Sequence, residues 1–201
     1  MTERRRSPDV VWHVGELDRA TRWAELGVHG TTVWLTGLPA SGKSAIASAV
    51  ERQLVGAGTP AYVLDGDNVR HGLSGDLAFD REARKENIRR VADVARMFTD
   101  AGMITLCSLV SPFADDRAYA RDVHDRHDLR FIEVWVDTPT AVCAERDPKG
   151  LYARAKRGEI SDFTGVSAPY EKPPAPELVL DGAGVSVREN AERVLEALGV
   201  P

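Results

Sequence analysis

Gly37-Leu38-Pro39-Ala40-Ser41-Gly42-Lys43-Ser44 carries the most specific chemistry in this chain of 201 residues. Two glycines with four residues between them, followed by a lysine and a hydroxyl, fit the pattern G-x-x-x-x-G-K-[ST] in full. Glycines let a backbone turn wrap its N–H groups around a phosphate, and a helix opening behind the turn adds its positive end. Lys43 supplies a cation for the outer phosphates, and Ser44 a hydroxyl for a divalent ion. The turn from Gly37 to Ala45 is therefore read as the site of a nucleoside triphosphate, with Mg2+ as its cofactor.

A second cluster follows the second apolar run: Leu64-Asp65-Gly66-Asp67-Asn68-Val69-Arg70-His71-Gly72-Leu73. A carboxylate beside a triphosphate orients an acceptor hydroxyl and takes its proton. Read alone, Asp65-Gly66-Asp67 is equally a strand-ending turn. Arg84 and Asn87, three apart on a helix, read alone as a surface pair, and Phe79 alone as core. No N-K-x-D guanine-specificity stretch is present, and the third apolar run ends in Ser-Leu-Val without an acid, which weighs against a GTPase, a motor or a transporter subunit.

These residues need a scaffold, and the hydrophobic pattern supplies one. Short β-branched runs (32–36, 61–65, 104–110, 131–136, 178–180) alternate with helical stretches (43–55, 81–101, 115–127, 187–198). Ile88, Val91, Ala92, Ala95 and Phe98 recur at the spacing of one buried helix face. Pro139 is expected in the first turn of the helix after the fourth run. Alternation of this kind predicts a parallel sheet of about five strands with helices on both faces, ligands lying at the carboxyl ends of the strands. The expected fold is three-layer α/β, of the P-loop nucleoside-triphosphate-hydrolase type, as a single domain over 10–201. A disordered segment is expected over 1–9, an amphipathic lead-in over 11–26, and a mobile lid in the polar, Gly- and Pro-rich stretch 147–176.

Composition bounds the partners. The chain is 43% hydrophobic and 28% charged with a formal charge of -5, so nothing advertises nucleic-acid binding. No apolar run approaches a membrane span of roughly 18 residues, and no apolar segment follows the basic N-terminus. Two cysteines in apolar surroundings suit a reducing cytoplasm.

Several stretches taken together resemble the adenylyl-sulfate kinase family: LDGDNVRHGL, Asp76 to Phe79, Arg84 to Arg90, Ser111-Pro112-Phe113, FIEVWVDTP, Arg146 to Tyr152, Phe163-Thr164-Gly165 and Ser167 to Glu171. The likeness runs in order from about residue 11 to 182. It implies transfer of the γ-phosphate of MgATP to the 3′-hydroxyl of adenosine 5′-phosphosulfate, in sulfate activation. It also implies roles. Asp67 is the catalytic base beside Lys43, and Asp65 orders the Mg2+ shell or the loop. Arg70, Arg84 and Asn87 hold the acceptor, Phe79 and Phe163 sandwich its adenine, and Ser111 lines its pocket. Lys149 and Lys156 approach the phosphates from the lid, and Arg146 stacks on the adenine of ATP. A homodimer and functional coupling to an ATP sulfurylase are expected on the same ground.

The sequence departs from the family at Pro39 and Ala40, where Ser-Gly is usual, at Ala45 for Thr, at Ala78 for Gly and at Ala83 for Asp. Two competing readings are a related metabolite kinase with another acceptor hydroxyl and a nucleotide-binding regulatory subunit. Loss of the phenylalanine pair would favour the first, and loss of Lys43 or Asp67 the second. All four residues are present.

Overall fold

A computed structural model describes residues 10, 11, 13 and 15–199. The stretch 1–9, expected to be disordered, and Trp12 of the lead-in lie outside the described residues. In chain order the elements are α1 (Arg19–Leu26), β1 (Thr31–Thr36), α2 (Lys43–Gly56), β2 (Ala61–Asp65), α3 (Gly66–Val69), α4 (Arg81–Asp100) and β3 (Ile104–Ser108). They continue with α5 (Ala114–Asp125), β4 (Arg130–Asp137), α6 (Thr140–Arg146), α7 (Leu151–Lys156), β5 (Leu178–Asp181) and α8 (Val187–Leu198). All strands are parallel, in the order β2-β3-β1-β4-β5.

The central strand explains the three layers. All of β1 is buried, and alternate residues face opposite ways. Val33 and Leu35 join a cluster with Ile46, Val50 and Leu54 of α2 and Val194 of α8. Trp34 joins the other cluster, with Ile88, Val91 and Ala95 of α4 and with Phe131. The chain leaves β1 for β2 on one side of the sheet and later returns to β4 on the other. The carboxyl end of β1 is thus the switch point, and the glycine-rich turn lies there.

Local signals set the element ends. Asp80 caps α4 by accepting from Ala83 N–H at 3.0 Å. Ser186 and Glu189 form a reciprocal capping box on α8. Pro139 stands one position earlier than expected, as the residue capping α6 rather than within its first turn. The third strand stops at Ser108 instead of reaching Val110, because its neighbour β1 ends at Thr36 where the glycine-rich turn begins. Val110 gives its carbonyl to the Thr36 hydroxyl instead, at 2.8 Å. Among the described residues of the lead-in, 19–26 are helical.

On the β2 edge of the sheet, the Glu51 carboxylate of α2 accepts from the outward N–H of Val63 at 2.9 Å. Beneath α4 and α5, Thr32, Thr99, Thr105 and His124 form a buried hydrogen-bonded cluster. Both cysteines are buried free thiols, and burial pushes each thiol's pKa up.

Candidate active site

The glycine-rich turn is shaped by its backbone conformation and held by side chains that donate to its carbonyls. Gly37 (φ 148) and Gly42 (φ 108) occupy positive-φ positions, and a Cβ on Gly37 would lie 2.6 Å from the Val136 carbonyl oxygen. Ala40 also sits in the left-handed region at φ 61, a conformation an L-residue reaches at a cost of about 1 kcal/mol. Lys43 is only 6% exposed. Its ammonium donates to the carbonyls of Gly37 (2.9 Å) and Leu38 (2.7 Å) and to Ser41 Oγ (3.2 Å). Burial pushes its pKa down to about 8, against the opposing pull of Asp65 and Asp67. A desolvated cation that holds its own loop closed is poised to exchange those carbonyls for phosphate oxygens.

Ser44 links this turn to the acidic one. Its hydroxyl donates to Asp65 Oδ2 at 2.6 Å and lies 3.0 Å from Ser108 Oγ. The other Asp65 oxygen caps α3 by accepting from Asp67 N–H at 2.9 Å. The Asp67 carboxylate is exposed, and its partner is the ammonium of Lys149, 82 residues further along the chain. These residues, separate in sequence, form one continuous line: Lys43 and Ser44, Asp65, Asp67, Lys149.

The expected acceptor residues flank that line. Arg70 donates to the carbonyls of Leu77 and Ala78 and lies over the Phe79 ring, 4.2 Å from its centroid. Phe79 is otherwise 65% exposed. Arg84 donates to Phe79 O, Thr164 Oγ1 and Asp162 O, so it already ties α4 to the stretch after α7. Burial, and the like charge of Arg84, push the pKa of Arg70 down. Two half-buried guanidinium groups close enough to repel each other favour an anion between them. Asn87 is buried with no partner for its Oδ1, leaving an acceptor for a ligand donor. Ser111 is buried at φ 37, its Oγ 3.2 Å from Trp34 Nε1. Phe163 is buried and packs edge-to-face on Tyr152, 5.0 Å between centroids. Lys156 ends α7 and is exposed.

Side chains outside the glycine-rich and acidic motifs prop the turn. Thr138 Oγ1 donates to Ser41 O at 2.9 Å, and Tyr152 Oη to Pro39 O at 3.0 Å. Arg146 bridges Ser41 O (3.4 Å) and Gly182 O (2.7 Å), which places it on the rim of the turn. Gly182 packs so closely that a Cβ would lie 2.0 Å from Thr138 Oγ1 and 2.7 Å from Ser41 O. The stretch expected as a lid has a core of its own: Tyr152, Ala155 and Phe163 pack with Cys143 against Leu38 and Ala40 of the turn. The bond from Tyr152 to the Pro39 carbonyl was not readable, because it joins positions 113 apart in the sequence.

Comparison with known proteins gives the family. A family model described as adenylylsulphate kinase matches residues 29–181. The adenylyl-sulfate kinase of Aeromonas hydrophila subsp. hydrophila is 47% identical over 190 residues, covering 94% of this chain and 95% of that protein. The bifunctional enzyme NodQ of Rhizobium tropici is 50% identical over 194 residues, 96% of this chain but 30% of its own length. Among solved structures, the Mycobacterium tuberculosis APS kinase CysC in complex with AMPPNP and APS superposes with a TM-score of 0.84. It is 49% identical, with 86% of this chain and 99% of that one covered. With a parallel five-stranded sheet and a complete phosphate-binding turn at its switch point, the chain belongs to the adenylylsulphate kinase family.

Proposed function

We propose that the chain transfers the γ-phosphate of MgATP to the 3′-hydroxyl of adenosine 5′-phosphosulfate, yielding ADP and 3′-phosphoadenosine 5′-phosphosulfate. The observation that carries the site assignment is the Ser44–Asp65–Asp67 connection. One turn fastens the triphosphate loop and presents a carboxylate toward the acceptor side.

In this reading the acceptor lies between the Arg70–Arg84 pair and the Phe79 and Phe163 rings. Its amino donors meet Asn87, and Ser111 lines the pocket. Asp67 takes the proton of the 3′-hydroxyl as that oxygen bonds to the γ-phosphorus. The bond from phosphorus to the bridging β–γ oxygen breaks, and ADP leaves with that electron pair. Lys43 follows the charge on the transferred group, and Arg146 packs on the adenine of ATP. Lys149 leaves Asp67 for a phosphate when substrates arrive, freeing the carboxylate. The stretch 147–176 acts as a lid that excludes water, with Lys149 and Lys156 on its inner side.

The oxygen-only set of Ser44, Asp65 and Ser108 fits a hard divalent ion. Ser44 would hold Mg2+ and Asp65 would order its outer shell. Bound there, the ion neutralises charge on the phosphates.

Assembly and place follow the same reading. Exposed Val11, Leu17 and Leu26 in the lead-in support burial in a homodimer. Likeness to part of a bifunctional enzyme supports coupling to a second activity, taken here as an ATP sulfurylase. Two reduced, buried thiols support a cytoplasmic setting.

The test is turnover with MgATP and adenosine 5′-phosphosulfate, with the product identified by mass. Asp67→Asn keeps the shape and removes the base, and kcat should fall about a thousandfold with both KM values little changed. Turnover with a different hydroxyl acceptor alone would overturn the substrate assignment.

A further inference from the structure

Arg117 is 3% exposed and lies outside every motif described above. It is on α5, and each arm of its guanidinium has a partner on a different part of the chain. Nε donates to Glu133 Oε1 of β4 at 2.8 Å. One terminal nitrogen donates to the Ser111 carbonyl, and the other to the Glu171 carbonyl, both at 2.8 Å. Glu133 in turn lies 3.6 Å from Arg121, which pairs with Glu177. A buried guanidinium with a carboxylate and two carbonyls has its charge and its fork satisfied together.

The two carbonyls decide what this arrangement does. Ser111 is held in the left-handed region without being glycine, a strained conformation that persists only where its surroundings fix it. Glu171 is at the foot of the 147–176 stretch. The same foot is fastened to the Ser111 loop by two further bonds and, through Thr36 of β1, by a third. Glu171 N–H donates to Pro112 O (2.8 Å), Ala114 N–H donates to the Glu171 carboxylate (2.7 Å), and Tyr170 Oη lies 3.0 Å from Thr36 Oγ1. Thr36 also donates to Val110 O. The phosphate-binding turn has other props, namely Thr138, Tyr152 and Arg146.

We infer that Arg117 is a positioning residue for the acceptor nucleotide: through one guanidinium it sets the Ser111 loop and the foot of the lid in register with each other. This rests on the reading of Ser111 as part of the acceptor pocket. Lysine at this position keeps the charge and loses the fork, so it can hold one carbonyl but not both in the same geometry.

The test is steady-state kinetics on Arg117→Lys and Glu133→Gln, with thermal unfolding and MgATP binding measured on each. Arg117→Lys should raise the KM for adenosine 5′-phosphosulfate about tenfold while the KM for MgATP stays within about twofold. Glu133→Gln, which leaves Arg117 in place but weakens its seat, should show a smaller shift with the same selectivity. It also decides the matter if the Arg117 variant does not fold. An acceptor KM unchanged within about twofold in the folded variants, or equal losses for both substrates, would overturn the inference. Arg84→Ala, measured in parallel, judges the acceptor pocket independently. If it raises the acceptor KM while Arg117→Lys does not, the pocket stands and only the role of Arg117 falls.

Discussion

The two halves of the site are built in opposite ways. On the donor side Gly37, Ser41 and Lys43 are buried, and the turn is fixed by contacts from Thr138, Tyr152, Arg146 and Gly182. On the side proposed for the acceptor, Phe79, Asp67 and Lys149 are exposed, and the charged groups are satisfied by one another or by nearby carbonyls. The first half is preformed. The second holds the groups its ligand needs in temporary partnerships, which the ligand must exchange. A donor common to many enzymes suits a rigid backbone cradle, whereas a particular acceptor is selected by side chains that close on it.

Perturbing each half should separate them, and the largest effect is expected where packing is tightest. Gly182→Ala drives a methyl group into Thr138 and Ser41, and should destabilise the protein by about 2 kcal/mol and weaken MgATP binding. Calorimetry and nucleotide titration would check both, and an unchanged melting temperature would mean that the donor side is not rigid. Phe79→Ala should leave the melting temperature within about a degree and raise the acceptor KM about tenfold, because an exposed ring stabilises a stacked base rather than the fold.

The pH dependence of Lys43 gives an effect of opposite sign on two observables. Its pKa is about 8 when folded and nucleotide-free, against 10.5 for an ordinary lysine. Between those values the unfolded chain binds more protons than the folded one, so stability of the free protein should rise with pH across that window. A bound triphosphate favours the ammonium, so nucleotide affinity should fall by up to about tenfold per unit above pH 8. Parallel falls in both would sink the assignment of the titration to Lys43. The smallest change is expected for Ala40→Gly, which relieves a left-handed alanine but adds freedom to the unfolded chain. It should stabilise the protein by less than about 1 kcal/mol in denaturant titrations.

What the sequence made legible follows the same division. The turn, the strands and the buried face of α4 were readable because each depends on neighbours within a few residues. Asp67, Arg70, Arg84 and Asn87 were readable as residue types, while the Lys149 partner of Asp67 was not, since no local pattern marks a contact across 82 positions. Arg117 was invisible for the related reason that an arginine in a charged helix reads as solvated surface. Only the fold brings Ser111, Glu133 and Glu171 around it. Ala40 and Pro39 announced a departure from the family, and the structure adds its physical content, a positive φ at one and a tyrosine-held carbonyl at the other.

The carboxylate of Glu51 on the β2 edge of the sheet has a consequence for self-association. A strand arriving at β2 would need the N–H of Val63, at the midpoint of a five-residue edge, and finds it already bonded. Extension of the sheet from one molecule to the next, the first step toward a cross-β fibril, is thereby denied its central hydrogen bond. A second copy could lengthen the sheet at β2, an edge that also exposes Tyr62, only by displacing that carboxylate.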